Sequence, residues 1–265
     1  MKFILTLSLL FTHQVYAFTF NNSGEAYFNS KEVVINISNN SCNGIEPQEL
    51  FSHTEVAIKE YWNKVPTSKL KLKMGGIIND RSTLFKEQPI CDYDTNCNIN
   101  SDLIVSSGVL ISCNNDQQAI TDGRAQDGNF PSQSILAKSI PNNTSGNHII
   151  GSLILVNGKS DSSYINLSAD EKIAVIAHEL GHAIGLGHSP VKDSLMYYES
   201  IPSRRSLGWD DIDGLTYLYP AEQPFGSSCG TITEDINSQG PGPFLGAIAL
   251  GFLLIFALSK RPQAL

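Results

Sequence analysis

The stretch that decides the fold runs Ser168-Ala169-Asp170-Glu171-Lys172-Ile173-Ala174-Val175-Ile176-Ala177-His178-Glu179-Leu180-Gly181-His182-Ala183-Ile184-Gly185-Leu186-Gly187-His188. Ser168 with Glu171 three residues on is a capping box, which opens a helix by satisfying its first free N–H groups. Ile173, Ala174, Ile176 and Ala177 carry the apolar pattern into the motif itself. On a helix His178 and His182 stand one above the other, so two imidazoles can hold one Zn²⁺. Gly185 falls where the helix must turn sharply, and glycine takes the left-handed cap without a steric penalty. That turn would bring His188 round as a third ligand, with Ile184 and Leu186 packed beneath. A lone histidine is more often structural than metal-binding. Here the residues match H-E-x-x-H-x-x-G-x-x-H, which chance would place in such a chain on the order of 10⁻⁵ times. The stretch reads as a zinc site.

Working outward, Lys31 to Ser38 contains Val33-Val34-Ile35-Asn36-Ile37, a strand by its β-branched content. Pro47 to Lys64 follows as a helix, stopped by Pro66. Leu70 to Met74 alternates apolar residues with lysine, like a half-exposed strand. Leu103-Ile104-Val105 and Ile149 to Val156 are further expected strands, the latter apolar nearly throughout. From Asn114 to Asn147 the text is loop-like, rich in Asn, Asp, Gly and Ser. Strands early and helices late predict an α+β domain.

The motif resembles the zinc signature of the metzincin clan of metallopeptidases. Ser189 follows the third histidine, and Leu195-Met196-Tyr197 arrives after a short gap that resembles the Met-turn of the matrixins, relatives of the matrix metalloproteinases. Trp209-Asp210-Asp211-Ile212-Asp213-Gly214-Leu215 to Tyr219 resembles the last helix of a matrixin catalytic domain. The resemblance implies a twisted mixed β-sheet, an active-site helix with the zinc motif, and a C-terminal helix that Asp211 ties to the Met-turn. It implies His178, His182 and His188 as ligands of one catalytic Zn²⁺, and Met196 as an apolar floor beneath the metal. Three neutral imidazoles would leave a position for water, whose proton Glu179 would take as general base during attack on a peptide carbonyl. Ile135-Leu136-Ala137-Lys138 resembles the matrixin edge strand that pairs with an extended substrate, making Ile135, Leu136 and Ala137 substrate-binding residues.

The chain also departs from the family. Outside the signal region and the motif only His53 and His148 remain, too few for the three-histidine structural zinc of vertebrate matrixins. Calcium near Asp127 stays open as a second cation. Ser194 to Tyr198 fits by letter the astacin pattern Ser-x-Met-x-Tyr, in which the tyrosine binds zinc. The matrixin-like loop around Tyr198 favours a packing role instead. No cysteine-switch propeptide is evident.

The ends read differently from the middle. Met1-Lys2, the mostly apolar run Phe3 to Phe11 and Val15-Tyr16-Ala17 make residues 1–17 a secretory signal peptide. The expected catalytic domain is 18–220, the linker 221–243 and a hydrophobic anchor or sorting tail 244–265. Phe244 to Leu258 carries no charge and Lys260-Arg261 follows it, a layout that resembles bacterial C-terminal sorting tails. The tail predicts membrane attachment, with a sorting or processing protease as a further partner, and a periplasmic or cell-surface location.

Composition bounds the rest. The 265 residues carry 26 acidic against 18 basic side chains, a net charge of −8, which excludes the basic face of a nucleic-acid binder. At 41% hydrophobic residues the chain is too apolar for general disorder. In an oxidising compartment Cys42, Cys91, Cys97 and Cys113 could form two disulfides, with Cys91–Cys97 favoured by proximity and three connectivities open. Cys229 stands alone before the tail. The leading function is a secreted or tethered zinc endopeptidase. The alternative is a non-catalytic cell-surface binding module on the same scaffold, against which the presence of Glu179 argues.

Overall fold

A computed structural model describes residues 18–21, 25–79, 82–88, 100–115, 133–199 and 204–222. Residues 1–17, Cys91, Cys97, Asp127, Cys229 and all positions after 222 lie outside the described residues, and with them the expected signal, calcium loop and tail. No helix among the described residues is long and apolar enough to cross a membrane.

In chain order the strands are β1 (Tyr27–Phe28), β2 (Glu32–Ser38), β3 (Lys71–Ile78), β4 (Gly108–Asn114), β5 (Ala137–Ser145) and β6 (His148–Asn157). The helices are α1 (Pro47–Glu60), α2 (Ser82–Glu87), α3 (Ala169–Ala183) and α4 (Trp209–Leu218). The strands form one mixed sheet in the order β1-β6-β4-β2-β3, with β5 added to β6. Every pairing is parallel except β5 with β6, which is antiparallel. The α1 crossover between β2 and β3 is the connection that parallel neighbours require. The mixed sheet and helices match the expected class.

β4 and β6 are buried on both faces, which is why β6 is apolar almost throughout. Val109, Ile111, Ile154 and Val156 face the main core with α1 and α3, where Trp62, Leu50, Ile176 and Leu180 are fully enclosed. Leu110, Leu153 and Leu155 point the other way, into a smaller core with Phe85, Leu103 and Val105.

Three strand expectations need correction. Leu103-Ile104-Val105 is not a strand: Ser101–Leu103 is a 3-10 turn capped by Asn100, whose side chain accepts from the Asp102 amide. The hydrogen-bonding groups of Val105 are instead satisfied by side chains, its N–H by Asn142 Oδ1 and its carbonyl by Asn143 Nδ2. The strand begins at Gly108. The reach from Asn114 to Asn147 is not all loop, because β5 lies within it. Its sequence Ala-Lys-Ser-Ile-Pro-Asn-Asn-Thr-Ser has little strand propensity, and pairing with β6 imposes the conformation. Pro141 is tolerated because β5 is an edge and the register shifts there. The substrate strand expected over Ile135 to Lys138 starts at Ala137; Ile135 and Leu136 precede it, held by Asn157 through their carbonyls.

Cys42 and Cys113 form a disulfide across 71 positions, tying the end of β4 to the β2–α1 connection. That bond selects one of the three connectivities and leaves Cys91 and Cys97, outside the described residues, as the remaining candidates.

Candidate metal centre and cleft

α3 begins as its sequence predicts. The Ser168 hydroxyl accepts from the Glu171 amide, and Glu171 Oε2 accepts from the Ser168 amide at 2.8 Å. The helix ends in a Schellman turn, in which Leu186 N–H donates to the Gly181 carbonyl and Gly185 N–H to that of His182. Gly185 sits at φ +109°, and a Cβ there would lie 2.2 Å from the Ala26 carbonyl oxygen. No other residue fits. The turn reverses the chain and carries His188 back over the helix end.

His178, His182 and His188 therefore converge, with one ring nitrogen from each within 4.8 Å of the others. The rings are oriented from behind. His178 Nδ1 lies 2.7 Å from the Leu195 carbonyl, and His182 Nδ1 lies 2.8 Å from that of Leu186. A carbonyl only accepts, so both Nδ1 atoms carry the hydrogen and both Nε2 atoms present a lone pair. His182 Nε2 and His188 Nε2 are 3.2 Å apart. Tetrahedral zinc with Zn–N bonds of about 2.0–2.1 Å holds neighbouring nitrogens roughly 3.3–3.4 Å apart. Burial pushes the His178 imidazole down to about 4 and lowers His182 and His188 as well, so the rings stay neutral near pH 7. Neutral imidazoles with lone pairs facing a common point fit a zinc ion.

Glu179 follows the first histidine and is 7% exposed. Its Oε2 has no hydrogen-bond partner among the described residues, and burial pushes its carboxyl up to about 8, opposed by the charge of Lys138. A dication held by the histidines would draw it back toward the ionised form.

The turn at Leu195-Met196-Tyr197 packs against α3. Met196 is buried, and its sulfur packs so closely on the helix backbone that a Cβ on Gly181 would stand 2.3 Å from it. Asp211, 1% exposed at the start of α4, accepts from the amides of Leu195 at 2.6 Å, Met196 at 3.0 Å and Gly208 at 2.7 Å, and from the Ser194 hydroxyl. The role expected of Asp211 is thus its observed one. It also acts at one remove on the site, because the Leu195 carbonyl it steadies is the one that orients His178.

A second support was not legible in the sequence. Residues 18–21 run beside the turn that carries His188: Thr19 Oγ1 donates to the His188 carbonyl at 2.7 Å, and Asn21 Nδ2 to that of His182 at 3.1 Å. Gly187 N–H donates to the Thr19 carbonyl at 2.7 Å and Asn21 N–H to that of Gly185 at 3.0 Å. These partners stand more than 160 positions apart in the chain, and nothing in their local sequence marks them.

The cleft has two hollows. One, of about 280 Å³, is lined by Ile135, Leu136, Ala137, Val175, Leu195 and Tyr197 together with His178, Glu179 and His188. The other, of about 430 Å³, is lined by Thr19, Asn21, Ala137, Lys138 and Ser139, again with Glu179 and His188. Ile135, Leu136 and Ala137 thus line the first hollow. Tyr198 is 57% exposed at its mouth, its ring against Tyr197 with centroids 4.5 Å apart. It packs on one neighbour and does not enter the core. His53 lies on α1 near Glu49, and His148 packs edge-on against Tyr27; neither joins the cluster.

Comparison with known proteins points the same way. Residues 93–220 match the matrixin family. The chain is 33% identical over 95 residues to metalloendoproteinase 2-MMP of Arabidopsis thaliana, covering 35% of this chain and 25% of that one. It is 47% identical over 73 residues to stromelysin-2 of Rattus norvegicus, covering 26% and 14%. With metalloendoproteinase 1 of Glycine max it shares 47% over 55 residues, covering 20% and 18%. The matched stretches span a quarter or less of each of these relatives. The mixed sheet, the helix-borne histidine cluster and the match over 93–220 agree: over those residues the chain is matrixin-like.

Proposed function

We propose that this protein is an exported zinc-dependent endopeptidase. The observation that carries the reading is the set of three neutral imidazoles aimed at one point, beside a buried carboxylate and at the foot of an open cleft. His178, His182 and His188 would hold the ion. Zinc bound there would supply Lewis acidity, which lowers the pKa of water toward about 7.

The remaining work falls to the protein. Glu179 is one residue from a proposed ligand and has an oxygen without a hydrogen-bond partner among the described residues, so it would take the proton of the attacking water and deliver it to the departing amine. The low exposure of Glu179 strengthens that exchange, because bulk water does not compete for the carboxylate. β5 pairs with β6 alone among the described residues, which leaves its other edge to receive a peptide in extended form. The apolar hollow would take a large apolar side chain next to the scissile bond, and the strand would fix the register. Residues 1–17 would direct export and 244–265 would anchor or sort the protein at the cell surface.

The test is digestion of unfolded casein by the purified protein and by Glu179→Ala, with bound zinc counted in both. One zinc in each and cleavage by the first alone is the expected result. Zinc in both without cleavage by either would favour the binding-module reading, and no zinc in either would overturn the proposal.

A further inference from the structure

β5 alternates between two faces, and its pairing with β6 fixes which residues look toward the metal centre. Ala137 stands opposite Val156 and Ser139 opposite Ile154, both members of the main core that α3 covers. Lys138 and Ile140 stand opposite Leu155 and Leu153, which belong to the smaller core on the far side. Residues directly opposed in an antiparallel pair point to the same side of the sheet. Ser139 therefore points toward α3. Ser152 of β6 shares that face, and its hydroxyl donates to the Ala183 carbonyl at the end of α3, at 2.7 Å.

Ser139 also lines the second hollow, together with Glu179 of α3 and with Thr19 and Asn21 of the N-terminal segment. Its hydroxyl oxygen is enclosed and has no hydrogen-bond partner among the described residues. The Ser152 hydroxyl is engaged on the helix; that of Ser139 is not. A serine hydroxyl both donates and accepts, and three staggered positions about one torsion are open to it. Asn21 gives one amide hydrogen to the His182 carbonyl and keeps a second on the same nitrogen. The natural complement is a side chain that also donates and accepts, namely a carboxamide. Glu179 disfavours a second carboxylate in the same hollow, and a cation held by the histidines would disfavour an ammonium.

We propose that Ser139 is a specificity-determining residue, whose hydroxyl selects a carboxamide side chain, Asn or Gln, on the flank of the scissile bond opposite the apolar hollow. This rests on the endopeptidase reading. A serine present only as a small residue beneath the cleft would not discriminate among peptides of equal size, and the isosteric pair Asn and Leu separates the two roles.

The test uses a peptide that the zinc-loaded protein cleaves, in which Asn, Leu or Asp is placed in turn at each position within two residues of the cleaved bond. At one position Asn should give a kcat/KM about threefold to tenfold above Leu, the worth of one hydrogen bond between neutral groups, and Asp should fall below Asn. Ser139→Ala should bring the ratio of Asn to Leu toward one. Its urea midpoint should be no lower than the parent's, because the hydroxyl removed satisfies no other group of the protein. Equal cleavage of the Asn and Leu peptides, a ratio unchanged in Ser139→Ala, or a lowered urea midpoint would overturn this inference alone. No cleavage of any peptide would overturn the endopeptidase reading and the inference with it.

Discussion

Asp211→Ala tests whether the Met-turn holds the metal site together. The carboxylate accepts three backbone amides and the Ser194 hydroxyl while 1% exposed. The Met196 amide keeps Ser194 Oγ as a second acceptor at 3.0 Å. The amides of Leu195 and Gly208 have no other acceptor among the described residues, and each such orphan costs about 1–3 kcal/mol. Discounting for the partial exposure of Gly208, the loss should be about 2–5 kcal/mol, or a fall of about 1–2 M in the urea midpoint. A second consequence separates this role from general stability. Since the Leu195 carbonyl orients His178, zinc affinity should fall about tenfold to a hundredfold, read by competition with a chelator at temperatures where the variant stays folded. The control is Cys42→Ala with Cys113→Ala, which removes a cross-link spanning 71 positions and should cost about 4 kcal/mol by chain entropy. Its zinc affinity should not move. An Asp211→Ala protein with the parent's urea midpoint, or a destabilised one with the parent's zinc affinity, would refute the reasoning.

Further outcomes follow from the same geometry. Gly185→Ala should strain the left-handed cap and drive a methyl into the Ala26 carbonyl, so that His188 is displaced and the purified protein carries less than one zinc by metal analysis. Asn21→Ala, which removes the donor to the His182 carbonyl, should leave the unfolding midpoint within about 1 kcal/mol of the parent while speeding zinc release to a chelator severalfold. Val175→Phe should narrow the apolar hollow, lowering kcat/KM for peptides with a large apolar residue at that site about tenfold more than for alanine-containing ones.

Where the sequence was legible, the interactions were local. The capping box spans three residues, the two helical histidines are four apart, and the Schellman turn closes within six. Helix geometry fixes the mutual placement of such residues whatever surrounds them. β6 was also legible, because a strand buried on both faces announces itself as a continuous apolar run. β5 was not, except through family resemblance at its first residues. Ser139-Ile140-Pro141-Asn142-Asn143 is extended only because β6 supplies its hydrogen-bond partners. The apparent strand at Leu103-Ile104-Val105 failed for the converse reason: its apolar residues fill the smaller core, but amide side chains from β5 take the place of a neighbouring strand.

The residues from Ser168 to His188 by themselves determined a capped helix, a sharp glycine turn and three histidines spaced for one metal ion. Those relations lie within one stretch of chain and follow from backbone geometry. Only the tertiary structure decided that Thr19 and Asn21 brace the turn carrying His188 and that Cys42 pairs with Cys113. These partners are distant in sequence. They meet because the sheet packs against α3 and stacks the strands in an order the chain does not follow, so their contact is a property of the packed core and of no local segment.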